Sequence, residues 1–463
     1  MSDVRHFDFC AVGAGSAGYN AAVEARALGK SAALVDSTGE LAGLCILRGC
    51  MPSKALLRSA DVAHIVETAP QVGIMPNGLR ADVHALIARK RRIIKSFADE
   101  RVEGINAFPL FRGAPRFESP GTLLVGEQSI SADVFLISTG SLINVPQISG
   151  LAETGYLTSD EVLDAASLPQ SIVVLGGGAV ACELSQYYGR LGVRTTVLQR
   201  SHTLLSSEDA EVGEAVRMAF EKENIAVITA VHIDRVERAG NKKRVIAEVD
   251  GDTAVYEADE IFVALGRRPN VDGFCFDRAG IDFDHHGVKV DDYLLTSNPH
   301  VYAAGDVTGM SRELVHLAVY EGKLAVRNAF MPHQRKAVDY ALHGARAIFT
   351  EPQVAVAGKN ERECQRQGLA CVSAAYPFHD HGKAIIANLT EGFVKMLAAP
   401  DGRILGVTYV GAEASDLIQE AVALLYFGAT VQDVLEMPHL HPTMAEILSY
   451  PAEMLAARVG APN

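Results

Sequence analysis

The chain has 463 residues, 48% of them hydrophobic, and a formal net charge of −14 at pH 7. This length exceeds the size at which one hydrophobic core keeps growing, so we expect a globular protein of several domains. The acidic balance argues against nucleic acid or an anionic membrane as the main partner, because both select basic surfaces. No apolar run reaches the roughly 18 residues of a membrane helix, and the start shows no signal-peptide pattern. We therefore expect a cytoplasmic protein without a membrane span.

The first stretch, FDFCAVGAGSAGYNAAVEARALG, predicts a buried strand, a glycine turn and a helix with an alanine-rich packing face. Gly13, Gly15 and Gly18 match G-x-G-x-x-G. One glycine makes the turn, one lets the backbone approach a pyrophosphate, and one lets the helix pack closely. The next strand ends at Asp36, whose carboxylate can accept hydrogen bonds from a ribose diol. The pattern predicts a dinucleotide-binding unit.

Two cysteines, Cys45 and Cys50, lie close together in GLCILRGCMPSK. A zinc half-site, two buried structural thiols and a redox pair are the three interpretations. No second cysteine pair follows at ligand spacing, which disfavours zinc. Pro52 fits a first helical turn, so Cys50 lies near a helix N-terminus, where the helix dipole favours a thiolate. We expect Cys50 to face a cofactor and Cys45 to meet a substrate.

Two features follow the cysteine pair in the chain. Lys54 falls about one turn into the predicted helix, within expected reach of the ring of a bound cofactor. The basic run RKRRIIK at residues 89–95 resembles a nucleic-acid contact, but in so acidic a chain we interpret it as the solvated face of a helix.

A second unit repeats the first pattern in SIVVLGGGAVACELSQYYGRLGVRTTVLQRS. Gly176, Gly178 and Ala181 form G-x-G-x-x-A, and the following strand ends at Gln199, at the same spacing as Asp36 in the first unit. Two such units indicate two dinucleotides, one retained and one exchanged. That arrangement is typical of a flavoenzyme that passes hydride between a nicotinamide and FAD.

The end of the second unit differs from the first in charge. A carboxylate would repel a ribose 2′-phosphate, whereas neutral Gln199 followed by Arg200 can accommodate one. This favours NADPH over NADH, with a solvated loop arginine as the alternative. Glu183, in the helix of this unit, is a possible partner for the Lys54 ammonium. The cysteines at 10 and 182 fall in a strand and a helix, where we expect core residues.

Two later stretches also end strands with ligand-type residues. FVALGRRPN closes with a turn at Gly266, and VYAAGD closes with Asp306, which suits the ribityl or ribose side of a flavin nucleotide.

The C-terminal segment MPHLHPTMAEIL supplies a proton acceptor for thiol exchange. His439 and His441 are candidates, and Glu446 can orient the His441 imidazole and raise its basicity. Pro442 and Thr443 are expected to open a helix there.

Together these motifs resemble the class I FAD-dependent pyridine nucleotide-disulfide oxidoreductases, the family of dihydrolipoamide dehydrogenase, glutathione reductase and mercuric reductase. The resemblance covers nearly the whole chain and includes STGS (residues 138–141) and FTEPQVAVAG (residues 349–358). It implies an α/β fold with two Rossmann-like dinucleotide-binding domains and an α+β C-terminal dimerisation domain. The implied domains are 1–145 (FAD, first part), 146–270 (NAD(P)), 271–340 (FAD, second part) and 341–463 (dimerisation).

The resemblance also implies roles for single residues. Cys50 becomes the charge-transfer thiolate beside the flavin, and Lys54 pairs with Glu183 near flavin N5. His441 and Glu446 act on Cys45 of the partner subunit in a homodimer. The implied FAD contacts further include Gly43, Ser138, Thr139, Gly140, Leu314 and Val315. Leu314 and Val315 lie at the start of a helix whose N-terminus would point at the flavin.

The chain departs from the family pattern around the cysteines. Ala42, Gly43 and Leu44 precede Cys45 where relatives have Gly-Gly-Thr, so a flavin-contacting hydroxyl is missing. Arg48 stands where relatives have an uncharged residue. It either lowers a thiol pKa, binds an acidic substrate, or faces outward.

The first functional interpretation is a dihydrolipoamide dehydrogenase-like enzyme acting on a small dithiol or disulfide or a lipoyl-carrying protein, with FAD and NADP or NAD. HLHPTMAE resembles the lipoamide dehydrogenases, whereas LQRS resembles an NADPH site. The alternatives are an NADPH-dependent reductase of a glutathione-type disulfide, a mercuric reductase-like enzyme without the C-terminal cysteine pair, and a flavin-binding redox sensor. No metal site is expected.

Overall fold

The computed structural model describes residues 4–310 and 313–460. In chain order, its strands are β1 Arg5–Val12, β2 Ala32–Asp36, β3 Leu110–Arg112, β4 Pro115–Ser119, β5 Thr122–Val125, β6 Gln128–Ile137, β7 Ser141–Ile143, β8 Ser171–Leu175, β9 Arg194–Leu198, β10 Ala226–Ile228, β11 His232–Ala239, β12 Lys242–Val249, β13 Asp252–Ala258, β14 Glu260–Val263, β15 Arg267–Pro269, β16 Phe283–Asp284, β17 Gly287–Val288, β18 Val301–Ala303, β19 Arg346–Ile348, β20 Gln353–Gly358, β21 Val372–Pro377, β22 Phe393–Ala398 and β23 Ile404–Gly411.

The α-helices follow the same order. They are α1 Ser16–Ala27, α2 Leu44–Leu47, α3 Cys50–Thr68, α4 Val83–Asn106, α5 Leu151–Thr154, α6 Ser159–Val162, α7 Ala179–Arg190, α8 Ala210–Lys222, α9 Val315–Phe330, α10 Tyr340–His343, α11 Glu361–Gln367, α12 Gly382–Ala387, α13 Ala414–Tyr426, α14 Val431–Glu436 and α15 Ser449–Ala456. None of the described helices is both long and apolar enough to cross a lipid bilayer.

The described chain forms two compact units. The first comprises the described parts of residues 1–53, 89–144 and 267–344, and the second comprises residues 54–88, 145–266 and the described part of 345–463. The expected division into four segments stays a prediction.

A seven-stranded sheet organises the first unit, in the order β3-β2-β1-β6-β5-β4 with β18 beside β6. Five of these strands run parallel to one another, namely β3, β2, β1, β6 and β18. Alternate side chains of β1 enter two different cores, Phe9 on one face and Cys10 on the other. Both faces are therefore covered, as in a doubly wound nucleotide-binding sheet. The expected alanine face of α1 is buried.

The second unit contains a parallel four-stranded sheet, β10-β9-β8-β14. It also contains the antiparallel sheets β11-β12-β13 and β19-β20-β23-β22-β21. The predicted α/β class, with a second parallel nucleotide-binding sheet and a C-terminal α+β region, is confirmed. Cys182 is fully buried in α7, as expected of a core residue.

The expected solvated face at residues 89–95 is wrong at one position. Arg91, Arg92 and Lys95 are exposed on α4, but Lys90 is only 6% exposed. Lys90 lies one turn after buried Ile87, on the same face of the helix, so helical periodicity turns it inward.

Candidate active site

The first glycine turn brings backbone into very close contact. Gly13 has φ +114°, and a Cβ there would lie 2.2 Å from the Ser138 carbonyl oxygen. A Cβ on Gly18 would lie 1.9 Å from the Gly13 carbonyl oxygen. The Ser138 hydroxyl donates to that same oxygen at 2.9 Å. Only glycine fits at these two positions, and strand, turn and helix are locked together around them.

Gly15 faces open space instead. It precedes α1, no side chain caps the helix there, and nothing lies within 4 Å of a Cβ built on it. The uncapped N–H groups and the clear approach fit the pyrophosphate of a dinucleotide. Asp36 is buried and accepts hydrogen bonds from the backbone N–H of Thr38 at 2.8 Å and of Ala14 at 3.3 Å. Its expected ribose contact stays a prediction.

The STGS and GRRPN stretches meet in the first unit, where β7 pairs antiparallel with β15. The Thr139 hydroxyl donates to the Asn270 carbonyl oxygen at 2.7 Å. The Ser141 hydroxyl donates to Asp306 at 2.6 Å and accepts from Arg267 Nε at 2.8 Å. Ser141, Arg267 and Asp306 all line a cavity of about 570 Å³. Asp306 therefore lies at a polar cavity, as a flavin-nucleotide contact requires.

The remaining expected FAD contacts lie at turns of the same unit. Gly140 has φ +71°, and Gly43 has φ +82° with its Cβ position 3.0 Å from the Gly15 Cα. Leu314 precedes α9 and Val315 is its first residue, so the helix starts where the resemblance implied.

The cysteine pair lies on the short helix α2 and the first residue of α3. Gly49 joins them, and its Cβ position is only 3.1 Å from the Leu44 carbonyl oxygen, so the chain folds back tightly. Both cysteines are thiols. A hydrogen bond with the Cys50 thiol, together with burial, raises the pKa of Cys45 far above its usual range. The charge-transfer role expected for Cys50 stays a prediction.

The Arg48 side chain faces outward, where its guanidinium pairs with Glu40 at 2.9 Å and both side chains are more than half exposed. Binding of an acidic substrate by Arg48 stays a prediction. The positive charge of Arg101, on α4, lowers the pKa of Cys45. This effect is smaller than the raising effects of the hydrogen bond with Cys50 and of burial. Its guanidinium lies 4.6 Å from the centre of the Tyr19 ring. No sequence motif pointed to this residue, because it is distant from the cysteine pair in the chain.

The second glycine turn repeats the geometry of the first. Gly176 has φ +114°, and a Cβ there would lie 2.4 Å from the Ala264 carbonyl oxygen. Gly178 precedes α7 and faces open space, while Ala181 is fully buried. Gly266 also has a positive φ, +88°, with clear surroundings. These residues fit a second dinucleotide.

The strand end of this unit carries no carboxylate. Gln199 is buried, its Oε1 accepts from the Arg200 backbone N–H at 3.1 Å, and its Nε2 donates to the Thr203 carbonyl oxygen at 3.3 Å. The Arg200 side chain is exposed. The loop is thus fixed by neutral contacts and leaves a guanidinium at its surface.

Lys54 and Glu183 form an ion pair in the second unit. Lys54 Nζ lies 2.8 Å from Glu183 Oε2, and Glu183 is only 4% exposed. The backbone N–H of Phe349 donates to Glu183 Oε1 at 2.9 Å, and the ammonium lies 4.5 Å from the centre of the Phe349 ring. The expected pairing is present, and Phe349, from the FTEPQ stretch, joins it. The proximity to flavin N5 stays a prediction.

His441 and Glu446 also meet as expected, with His441 Nδ1 2.9 Å from Glu446 Oε2. The His441 side chain is 78% exposed, so its Nε2 is open to solvent. His439 is paired elsewhere, with Glu420 at 2.9 Å. The expected helix start at 442–443 is wrong: the Thr443 hydroxyl donates to the Leu440 carbonyl oxygen in a turn, and a 3₁₀ helix begins only at Ala445.

Comparison with known proteins places this geometry in a family. Residues 7–322 match the pyridine nucleotide-disulphide oxidoreductase family, and residues 345–452 match its dimerisation domain. The chain belongs to this family. The resemblance drawn from the motifs is therefore confirmed, and FAD and NAD(P)H are the cofactors of this flavoprotein family.

Individual relatives of this oxidoreductase have different activities. A mercuric reductase of Bacillus cereus is 33% identical over 445 residues, 95% of this chain and 70% of that protein. A dihydrolipoyl dehydrogenase of Bacillus subtilis (strain 168) is 31% identical over 463 residues, 97% of this chain and 98% of that protein. Among solved structures, the Cu(II) complex of the HOCl-induced flavoprotein disulfide reductase RclA from Escherichia coli matches with a TM-score of 0.86 and 22% sequence identity. The match covers 98% of this chain and 100% of that chain. That last likeness shows the fold.

Proposed function

We propose that this disulfide oxidoreductase is of the dihydrolipoamide dehydrogenase type, exchanging electrons between NAD(P)H and a small dithiol or disulfide, free or carried on a protein. The observation that carries the proposal is the contacting thiol pair Cys45 and Cys50. The exposed His441, hydrogen-bonded to Glu446, supports it as the proton acceptor.

Thiol exchange follows from these residues. Cys45, deprotonated by His441, attacks one sulfur of the substrate disulfide, and the leaving thiolate takes the proton back from His441. Cys50, as the thiolate, then attacks the Cys45 sulfur, which releases the second substrate sulfur as a thiolate and leaves a Cys45–Cys50 disulfide. Bound FAD supplies the two-electron carrier between the nicotinamide and the cysteine pair. With a dithiol substrate, the same residues act in reverse. We propose that His441 and Glu446 serve Cys45 of the partner subunit, in a homodimer built by the dimerisation domain.

We propose NADPH as the preferred nicotinamide. The neutral contacts of Gln199 and the exposed Arg200 support binding of a 2′-phosphate at the end of β9.

Anaerobic turnover of the FAD-loaded protein tests the proposal. Dihydrolipoamide with NAD⁺ and NADP⁺ is compared with lipoamide and oxidised glutathione, each with NADH and NADPH. We expect the fastest turnover with the lipoyl pair. Cys50→Ser is expected to abolish turnover with every disulfide, and turnover at the wild-type rate would exclude the dithiol mechanism.

Mercuric ion reduction is a second candidate, because relatives 33% identical over 95% of the chain carry that name. Paired thiolates are suitable ligands for a soft metal ion. Oxidation of NADPH that depends on added Hg(II), and exceeds turnover with every disulfide, would favour this function over the first.

A further inference from the structure

A buried histidine, His381, lies against the carboxylate of the proposed proton relay. It precedes α12 and is 0% exposed. The edges of two aromatic rings surround it, Phe378 with ring centres 6.3 Å apart and Tyr450 with ring centres 6.0 Å apart. Neither the motifs nor the family comparison assigned it a role.

Glu446 bridges this buried imidazole and the exposed one. Its Oε2 lies 2.9 Å from His441 Nδ1, and its Oε1 lies 3.3 Å from His381 Nε2. The second contact is a close approach and not a hydrogen bond, because both ring nitrogens of His381 are buried without a hydrogen-bond partner. Each carboxylate oxygen therefore faces one imidazole, that of His441 with a 78% exposed side chain and that of His381 with none exposed.

The surroundings favour a neutral His381. Burial lowers its pKa, while the Glu446 carboxylate opposes that shift and His441 adds to it. The other titratable groups near the ring are phenols and one carboxylate: Tyr450 stacks on Tyr376 at 4.3 Å, and the Tyr376 hydroxyl donates to Asp380 at 2.9 Å. A neutral imidazole protonated at Nε2 can donate to Glu446 without adding a charge.

We infer that His381 is a positioning residue for the proposed relay: its Nε2 contacts the second oxygen of Glu446 and so keeps that carboxylate directed at His441. The inference rests on the proposed function of His441. A small rotation of the ring would make Nε2 a hydrogen-bond donor to Glu446 Oε1, and without this donor the carboxyl would be free to rotate away from His441. His441 would then lose its anionic partner and hold its proton less tightly.

Two variants of His381 distinguish the loss of the Nε2 donor from the loss of side-chain volume. In His381→Gln the side-chain amide nitrogen can reach the position of Nε2, whereas in His381→Asn it reaches only the level of Nδ1. His379→Asn is the matched control, because His379 lies two positions away and is exposed. Flavin content and dimer mass confirm that each variant is folded.

The readout is carbethoxylation of His441 by diethylpyrocarbonate in the FAD-loaded protein, followed against pH by mass spectrometry of its peptide. Only neutral imidazole reacts, so the midpoint reports how tightly His441 holds its proton. We expect His381→Asn to lower the midpoint by about one pH unit, with His381→Gln and His379→Asn close to wild type. Equal midpoints for the Asn and Gln variants would overturn the inference.

Turnover against pH gives the second measurement. His381→Asn is expected to shift the pH profile of kcat with little change in KM, and His381→Gln to restore it. A wild-type protein that turns over no disulfide would overturn the proposed function, while the carbethoxylation midpoint would still decide the role of His381.

Discussion

The two glycine turns of this oxidoreductase have the same backbone and different surroundings. Gly13 and Gly176 both have φ +114°, and each would place a Cβ within 2.4 Å of a neighbouring carbonyl oxygen. The third motif position differs: Gly18 packs against backbone, whereas the second turn accommodates Ala181. The shared geometry fits a phosphate in each unit. The differences around it are the places to test the proposal that the first unit retains its dinucleotide and the second exchanges it.

The two helices differ at a matching position as well. Asn20 in α1 and Glu183 in α7 each lie five residues after the second glycine of their motif. Asn20 donates to the carbonyl oxygen of Ser16, within its own helix, at 2.9 Å. Glu183 instead binds Lys54 and the Phe349 N–H. The second helix therefore connects its nucleotide turn to side chains that the first helix lacks.

Gly18→Ala makes the first turn chemically like the second and is expected to have the largest effect. The new Cβ would lie 1.9 Å from the Gly13 carbonyl oxygen and 2.5 Å from the Ser138 hydroxyl. Overpacking against fixed backbone costs about 1–3 kcal/mol, and if that cost falls on the FAD-bound state it weakens FAD binding by about 5-fold to 150-fold. The ratio of flavin to protein absorbance after gel filtration measures the loss. Full flavin content would show that α1 can move away from the turn.

Glu183→Gln removes the charge that only the second helix carries. The amide oxygen can still accept from the Phe349 N–H, but Lys54 loses its ion pair. We therefore expect the free energy of unfolding to fall by about 2 kcal/mol. The loss is smaller than for a fully buried pair because Lys54 is partly solvated. Urea unfolding of the FAD-loaded protein provides the value. Asn20→Ala is the control, with an expected change within about 0.5 kcal/mol, and equal losses for the two variants would contradict the assigned difference.

Arg200→Ala tests the charge difference at the strand ends. Loss of a charge-assisted contact at an exposed site is expected to raise KM for NADPH about tenfold and leave KM for NADH nearly unchanged. Steady-state kinetics with each nucleotide gives both values. Arg194, exposed at the start of the same strand, is the matched control as Arg194→Ala. Equal losses for NADPH and NADH with Arg200→Ala would exclude the 2′-phosphate assignment.

Ala181→Gly makes the second turn like the first and is expected to have the smallest effect. It removes only a buried methyl group and adds backbone freedom near the start of α7, at a cost of about 0.5–1 kcal/mol. NADPH binding should persist. Thermal unfolding and nucleotide titration measure the two quantities, and a tenfold loss of NADPH affinity would show that the methyl group itself shapes the site.

The sequence predicted what local patterns determine. The glycine turns follow from motif spacing. Glu183, the partner of Lys54, and Glu446, the partner of His441, both lie within recognisable motifs. It could not predict Phe349, Arg101 or His381, because their contacts depend on packing between segments far apart in the chain. The orientation of Arg48 was open for a similar reason, since its partner Glu40 lies in a loop without a recognisable motif.

The tight fold of the cysteine loop determines where this enzyme can be redesigned. Gly43 and Gly49 approach neighbouring backbone within 3.0 and 3.1 Å of a Cβ position, so neither can be randomised without displacing the thiols. Leu44 and Arg48, in the same segment, are exposed and are two of the positions where the chain departs from the family pattern. A directed-evolution library for new disulfide substrates should therefore diversify residues 44 and 48 and leave the glycines unchanged.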